Sequence, residues 1–195
     1  GIITRLSLKV LPLPQDSRTL AYALGAAEAL EMMAQRAAAP YPLTGACWFD
    51  NRLYLRLEGD AAAVAGAVSA WGGESLTTAD QPWNGLREMT LPFFTGDAPL
   101  WRLSLKATTA CDAADGEQLI DWAGSQRWLR GEQDFVALQA RARAAGGHAG
   151  LFAGGDRSGE VRQALEPAQQ ALQLRLKRAF DPAGILNPGR LYSWM

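Results

Sequence analysis

The sequence is poor in the residues that most often carry metal and thiol chemistry. It has one histidine, His148, and two cysteines, Cys47 and Cys111. A zinc site takes about four such ligands at short spacings, and no such set exists, so no metal is expected. The cysteines read as small apolar residues, with a disulfide or a reactive thiol as the alternatives. Net charge is nearly absent too: 19 Lys and Arg stand against 20 Asp and Glu, leaving −1. The basic residues are scattered, with no run that would track phosphates, so nucleic acid is not an expected partner. Nothing in this balance draws the chain to anionic lipid. No stretch of about 18 uncharged apolar residues offers a membrane span. The N-terminus lacks the basic-then-apolar layout of a signal peptide. A cytoplasmic location is expected. The first residue is not Met, which reads as a chain that starts at a domain boundary.

What is present is apolar material, 48% of 195 residues, enough for a sizeable core. Residues 5–10 alternate, with Leu6, Leu8 and Val10 on one side, which predicts a strand. A helix is expected over 18–38, on the stripe Leu20, Leu24, Ala27, Leu30 and Ala34. Strands 44–49 and 52–58 flank Asp50-Asn51, a hairpin signal. Asp60 caps a helix that Gly72-Gly73 ends, and a strand follows at 75–78. Residues 79–98 read as a connector with a short helix at 83–89, packed by Phe93 and Phe94. Strands are expected at 100–106, at 118–130 as one long element bulged at Gly124, and at 148–153. Asp134 caps the helix before the last of these. Ser158 is a candidate start for another helical stretch, and a final helix follows Pro167 and runs to Phe180.

Helix, Gly-Gly, strand occurs twice, at 60–78 and 134–153. The predicted fold is therefore α+β: an antiparallel sheet with helices on one face, built from two ferredoxin-like halves, 1–80 and 99–158. These make one domain over 1–158, followed by a helix and tail over 159–195.

The tail reads FDPAGILNPGR (180–190). Pro182 and Pro188 remove backbone freedom, Gly184 and Gly189 permit tight turns, and Asn187 and Arg190 are held close together. A helix followed by this segment resembles the C-terminus of FAD-linked oxidases of the vanillyl-alcohol oxidase superfamily. TRLSLKVLPLP (4–14), LREMTLPFF (86–94), PLWRLSL (99–105), EQLIDWAGSQRWL (117–129) and AGGHAGLF (145–152) are similar, in order, to the E subunits of bacterial glycolate oxidases. The resemblance implies a substrate-side cap over 1–158 and a return segment after it. The FAD-binding domain would precede residue 1, so FAD is expected in the complete subunit and not in this stretch alone. It further implies oxidation of glycolate to glyoxylate. The implied partners are a flavoprotein D subunit and an iron–sulfur F subunit, with any contact to the inner membrane made through them. Asn187 would lie near the flavin, with Arg190 beside it.

Two departures matter. Oxidases of 2-hydroxy acids in this superfamily carry HxGDGNxH, whereas this chain has GGHAG around His148. The alternative is then a non-catalytic assembly or electron-relay subunit, and a third reading is a stand-alone ligand-binding module. Also, the one Gly-rich stretch late in the chain, at 154–159, lacks the strand–loop–helix setting that cradles phosphate and reads as a plain loop. His148 stands either as a proton acceptor, since imidazole works near neutral pH, or as a structural histidine at a strand edge. A small carboxylate substrate calls for a guanidinium fork. Arg102 and Arg127 are the candidates: each neighbours a tryptophan, Trp101 and Trp128, and alternation points each away from it, toward the open side of the sheet. The alternative for both is a solvated strand arginine.

Overall fold

The computed structural model describes residues 3–77, 81–112 and 115–195. The chain divides into two compact units, one of residues 13–155 and one of residues up to 12 together with 156–195.

In the first unit the sheet begins with β1 (Asp16–Ala23), followed by helix α1 (Ala26–Ala37). This corrects the expected helix over 18–38. The stretch RTLAYA contains good helix formers, but Thr19, Leu20 and Ala21 are buried in succession, as in a strand covered on both faces. The helix starts only at Gly25, where Glu28 Oε2 accepts the Gly25 N–H at 3.0 Å. β2 (Leu43–Phe49) and β3 (Arg52–Gly59) form the expected hairpin, with Asp50 and Asn51 at φ 49° and 54°. Asp60 Oδ1 accepts from the Ala62 and Ala63 N–H groups and caps α2 (Ala61–Trp71), after which Gly72 turns at φ 64°. β4 is Glu74–Ser75; Thr78, in the expected strand, lies outside the described residues.

The connector holds α3 (Trp83–Glu88) and a 3-10 turn at Pro92–Phe94. Beyond it come β5 (Leu100–Ser104), β6 (Glu117–Asp121), β7 (Gln126–Arg130), α4 (Phe135–Ala144) and β8 (His148–Ala153). Residues 118–130 are thus two strands and not one, broken by a turn at Trp122–Gly124 whose residues are left-handed. Asp134 caps α4 by accepting from Val136 and Ala137.

All eight strands form one antiparallel sheet in the order β4-β1-β3-β2-β6-β7-β5-β8. The first four follow the β-α-β-β-α-β unit. The last four repeat the same order, mirrored about the β2–β6 seam, so the fold is α+β with two ferredoxin-like halves. Among the described residues the second half has no α-helix between its first two strands. α1, α2 and α4 share one face. Under α1 and α2 lies the main core, including Leu20, Met33, Leu53, Leu55, Val64 and Trp71. Under α4, whose own Leu138 and Ala142 are buried, lie Leu103, Leu129 and Ala149, all buried. The connector covers part of the opposite face: Trp83 and Leu86 pack on Ala21, Cys47 and Tyr54, and Leu91, Phe93 and Phe94 pack near Leu119 and Trp128.

In the second unit, residues 5–10 form no strand. Leu6, Leu8 and Val10 are exposed. An alternating segment becomes a strand only when a neighbour supplies hydrogen bonds, and no described segment pairs with it. No helix starts at Ser158 either; among the described residues of this unit the one α-helix is α5 (Pro167–Phe180), with Glu166 at its N-cap and Pro167 in its first turn. Its C-terminus is closed by Asp181, whose carboxylate accepts from Lys177 Nζ at 2.6 Å and from the Ile185 and Leu186 N–H groups. Lys177 Nζ also donates to the Leu186 carbonyl. The hydrogen bond from Lys177, with the backbone donors, holds the Asp181 carboxyl below its usual range.

Candidate functional site

The two expected arginines are on opposite faces of the sheet. In the β5–β7 register Arg102 pairs with Trp128, and Arg127 pairs with Leu103. Trp101 faces α4, with Phe135 at 5.2 Å; Trp128 faces away, packing on Phe94 and Phe152. Pointing away from a tryptophan therefore sends the two arginines in opposite directions, and the expectation of a shared open side is corrected.

Arg127 is 2% exposed. Its Nε donates to the Gly124 carbonyl at 2.9 Å, Nη2 to the Thr109 carbonyl at 2.7 Å and Nη1 to Cys111 Sγ at 3.5 Å. Burial pulls its pKa down. It borders a cavity of about 370 Å³ on the α4 face, with Arg141, Asp112 and Asp115, where Arg141 is ion-paired to both aspartates. Both cysteines are free. Burial pushes both thiols up, Cys47 far more than Cys111, so neither is a ready thiolate.

Arg102 is half-buried and differently placed. Its Nε donates to Gln126 Oε1 at 2.8 Å. The guanidinium lies over two indoles, Trp122 and Trp128, at 5.7 Å from each centroid. Among the described residues no carboxylate pairs with it. One edge of the fork is tied down, and the two terminal nitrogens remain for a ligand. The face around it is polar in a regular way. Asp121 pairs with Gln126, Gln126 with Ser104, and Ser104 with His148. One polar residue from each of four adjacent strands thus forms a row across the sheet, since directly opposed residues point to the same side. His148 is exposed at the edge strand, on the same face as Arg102. Burial raises the Asp121 carboxyl, against the Trp122 N–H that it accepts at 2.8 Å.

Sequence reasoning missed Gln126, Asp121, Ser104 and Trp122. Alternation in 100–106 held the signal for Ser104. Reading 118–130 as one strand destroyed the signal for the others, because the turn at Trp122–Gly124 shifts the parity: Asp121 shares a face with Gln126, and Ile120 with Arg127.

Asn187 and Arg190 are in the second unit. Both are exposed, Asn187 is left-handed at φ 50°, and the Arg190 N–H donates to the Asn187 carbonyl at 3.3 Å. Their exposed amide and guanidinium fit an edge contact with a flavin. Nothing described fits its pyrophosphate. Gly154 and Gly155 serve packing instead: a Cβ on either would come within 3.2–3.3 Å of Asp97, Ala98, Pro99 or Leu151 atoms. Among the described residues no group of three or more His, Cys, Asp or Glu is gathered for a metal, and no helix is long and apolar enough to cross a membrane.

Residues 153–191, spanning the end of β8, α5 and the tail, match the family model of the C-terminal domain of FAD-linked oxidases. The tail motif FDPAGILNPGR lies within this match. The chain is 41% identical over 193 residues to glycolate oxidase subunit GlcE of Escherichia coli strain K12, covering 99% of this chain and 54% of that protein. It thus spans about half the length of the curated relative it matches. No solved structure matches.

Proposed function

We propose that the chain is the substrate-side and C-terminal part of an FAD-linked glycolate oxidase subunit, over residues 1–158 and 159–195, preceded in the complete subunit by an FAD domain. The observation that carries this is Arg102. Its guanidinium is anchored at Nε by Gln126 and open at its terminal nitrogens, which is how a bidentate carboxylate clamp is built. We assign the clamp to Arg102 alone, since Arg127 is committed to three acceptors on the other face. His148, across Ser104 from Gln126, accepts the substrate hydroxyl proton. Asn187 and Arg190 would hold an edge of the FAD of the complete subunit, which would supply the two-electron acceptor for the hydride released from the α-carbon. Glycolate becomes glyoxylate, and electrons leave through the flavoprotein D and iron–sulfur F partners.

The test is Arg102→Met in the complete FAD-loaded subunit with its partners. The glycolate KM should rise at least about tenfold, the loss expected when a charged hydrogen-bond pair is removed. Unchanged kinetics would support the second reading, a non-catalytic assembly or relay subunit. That reading is favoured by His148 being the chain's one histidine, in GGHAG, where the hydroxy-acid oxidase motif has two. Calorimetry of FAD against the 195-residue chain should show weak binding at most.

A further inference from the structure

Three successive residues at the β6–β7 turn are left-handed: Trp122 at φ 50°, Ala123 at 51° and Gly124 at 97°. Gly124 has a local reason. A Cβ there would lie 2.7 Å from the Ala107 carbonyl oxygen and 2.9 Å from Leu30 Cδ2. Trp122 has no such reason. A bulky side chain in this region is disfavoured, and its indole remains 63% exposed, so burial does not compensate. What the conformation achieves is placement: the ring stands against the Arg102 guanidinium, its centroid 5.7 Å away, and the buried Trp128 ring lies at the same distance.

Resting on the reading of Arg102 as a carboxylate clamp, we propose that Trp122 is the specificity-determining wall of that clamp, selecting 2-hydroxy acids that carry no branched substituent on the α-carbon. A carboxylate gripped by the terminal nitrogens lies roughly in the guanidinium plane, and so comes beside the two indoles that the guanidinium contacts. The α-carbon substituents then meet those rings. Glycolate offers only hydrogens there. A branched side chain meets Trp122, because Trp128 is fixed by Phe94 and Phe152 at 5.5 and 5.0 Å.

The test needs no flavin. Calorimetry on the 195-residue chain compares glycolate with 2-hydroxy-3-methylbutanoate, for the native chain, Trp122→Gly, Trp122→Phe and Arg102→Met. The native chain should prefer glycolate by at least about tenfold, within the range a hydrophobic wall can deliver. Trp122→Gly, which also suits the left-handed backbone, should be at least as stable as the native chain. It should cut the preference to about threefold or less, and Trp122→Phe should fall between. If Arg102→Met abolishes binding but Trp122→Gly and Trp122→Phe keep the full preference, the wall is overturned and the clamp stands. If the native chain binds neither acid, or Arg102→Met binds as well as native, the clamp fails and the wall with it.

Discussion

The two halves of the sheet share a strand order and differ in what covers them. The first carries α1 and α2 on one face and the connector on the other, and its strand residues are buried in runs, as in Thr19, Leu20 and Ala21. Among the described residues the second carries α4 on that face, beside a cavity of about 370 Å³. Its strands are buried too, β7 without a break from Gln126 to Leu129, but its far face, beyond the reach of Phe93 and Phe94, carries the half-buried Arg102 and the exposed His148. The same topology thus yields a structural plate and a candidate binding plate, and part of the difference is a connector that stops short.

The contrast is broken most directly in the two cores. Leu55→Ala, under two helices, should destabilise by about 3–5 kcal/mol in urea denaturation, whereas Leu103→Ala, beside the existing cavity, should cost about 2 kcal/mol. Equal losses would mean that the halves are equally packed. Next in size, Arg127→Met should cost about 2–3 kcal/mol by leaving the Gly124 and Thr109 carbonyls without a donor, with carboxylate binding by the chain unchanged. A binding loss would place Arg127 in the site after all. The smallest effect is at Asp121. Burial raises its carboxyl in the folded state, so its contribution to stability is complete below the ordinary Asp range and declines as pH rises through the raised value. Asp121→Asn, which keeps the acceptor for the Trp122 N–H, should therefore raise Tm at pH 7, and the gap should close on acidification toward pH 3. A gap independent of pH would show that ionisation is not the cause.

Local features were legible in the sequence because their physics is local. The Asp50-Asn51 turn, the Asp60 and Asp134 caps and the Gly72 stop each depend on a few neighbouring residues, and each is found in place. Segments decided by tertiary pairing were not legible. Residues 18–23 have helix-forming composition and become a strand because β3 and β4 flank them. Residues 5–10 have a strand pattern and no described partner. The candidate site fell between. Arg102 and His148 were visible as residue types in suggestive blocks, and the structure puts them on one face. The direction of Arg127 was not readable, because Trp101 and Trp128 look alike in sequence and face opposite ways. Gln126 and Trp122 were hidden by a turn whose only strong signal was Gly124.

The seam between the halves is the thinnest line of backbone pairing in the sheet. β2 and β6 share a single register pair, Trp48 with Ile120, whereas β1 and β3 share eight. Side chains hold the join instead: Ile120 is buried in the first half's core, and Ala123 packs against it. Most sheets are frayed at their margins and stiff in the middle; this one has a fold line down its centre, like the spine of an open book. One backbone rung crosses it while the ladders within each leaf are whole, so the two leaves are joined chiefly by packing: Ile120 and Ala123 sit in the first half's core, and Leu30 lies against Gly124.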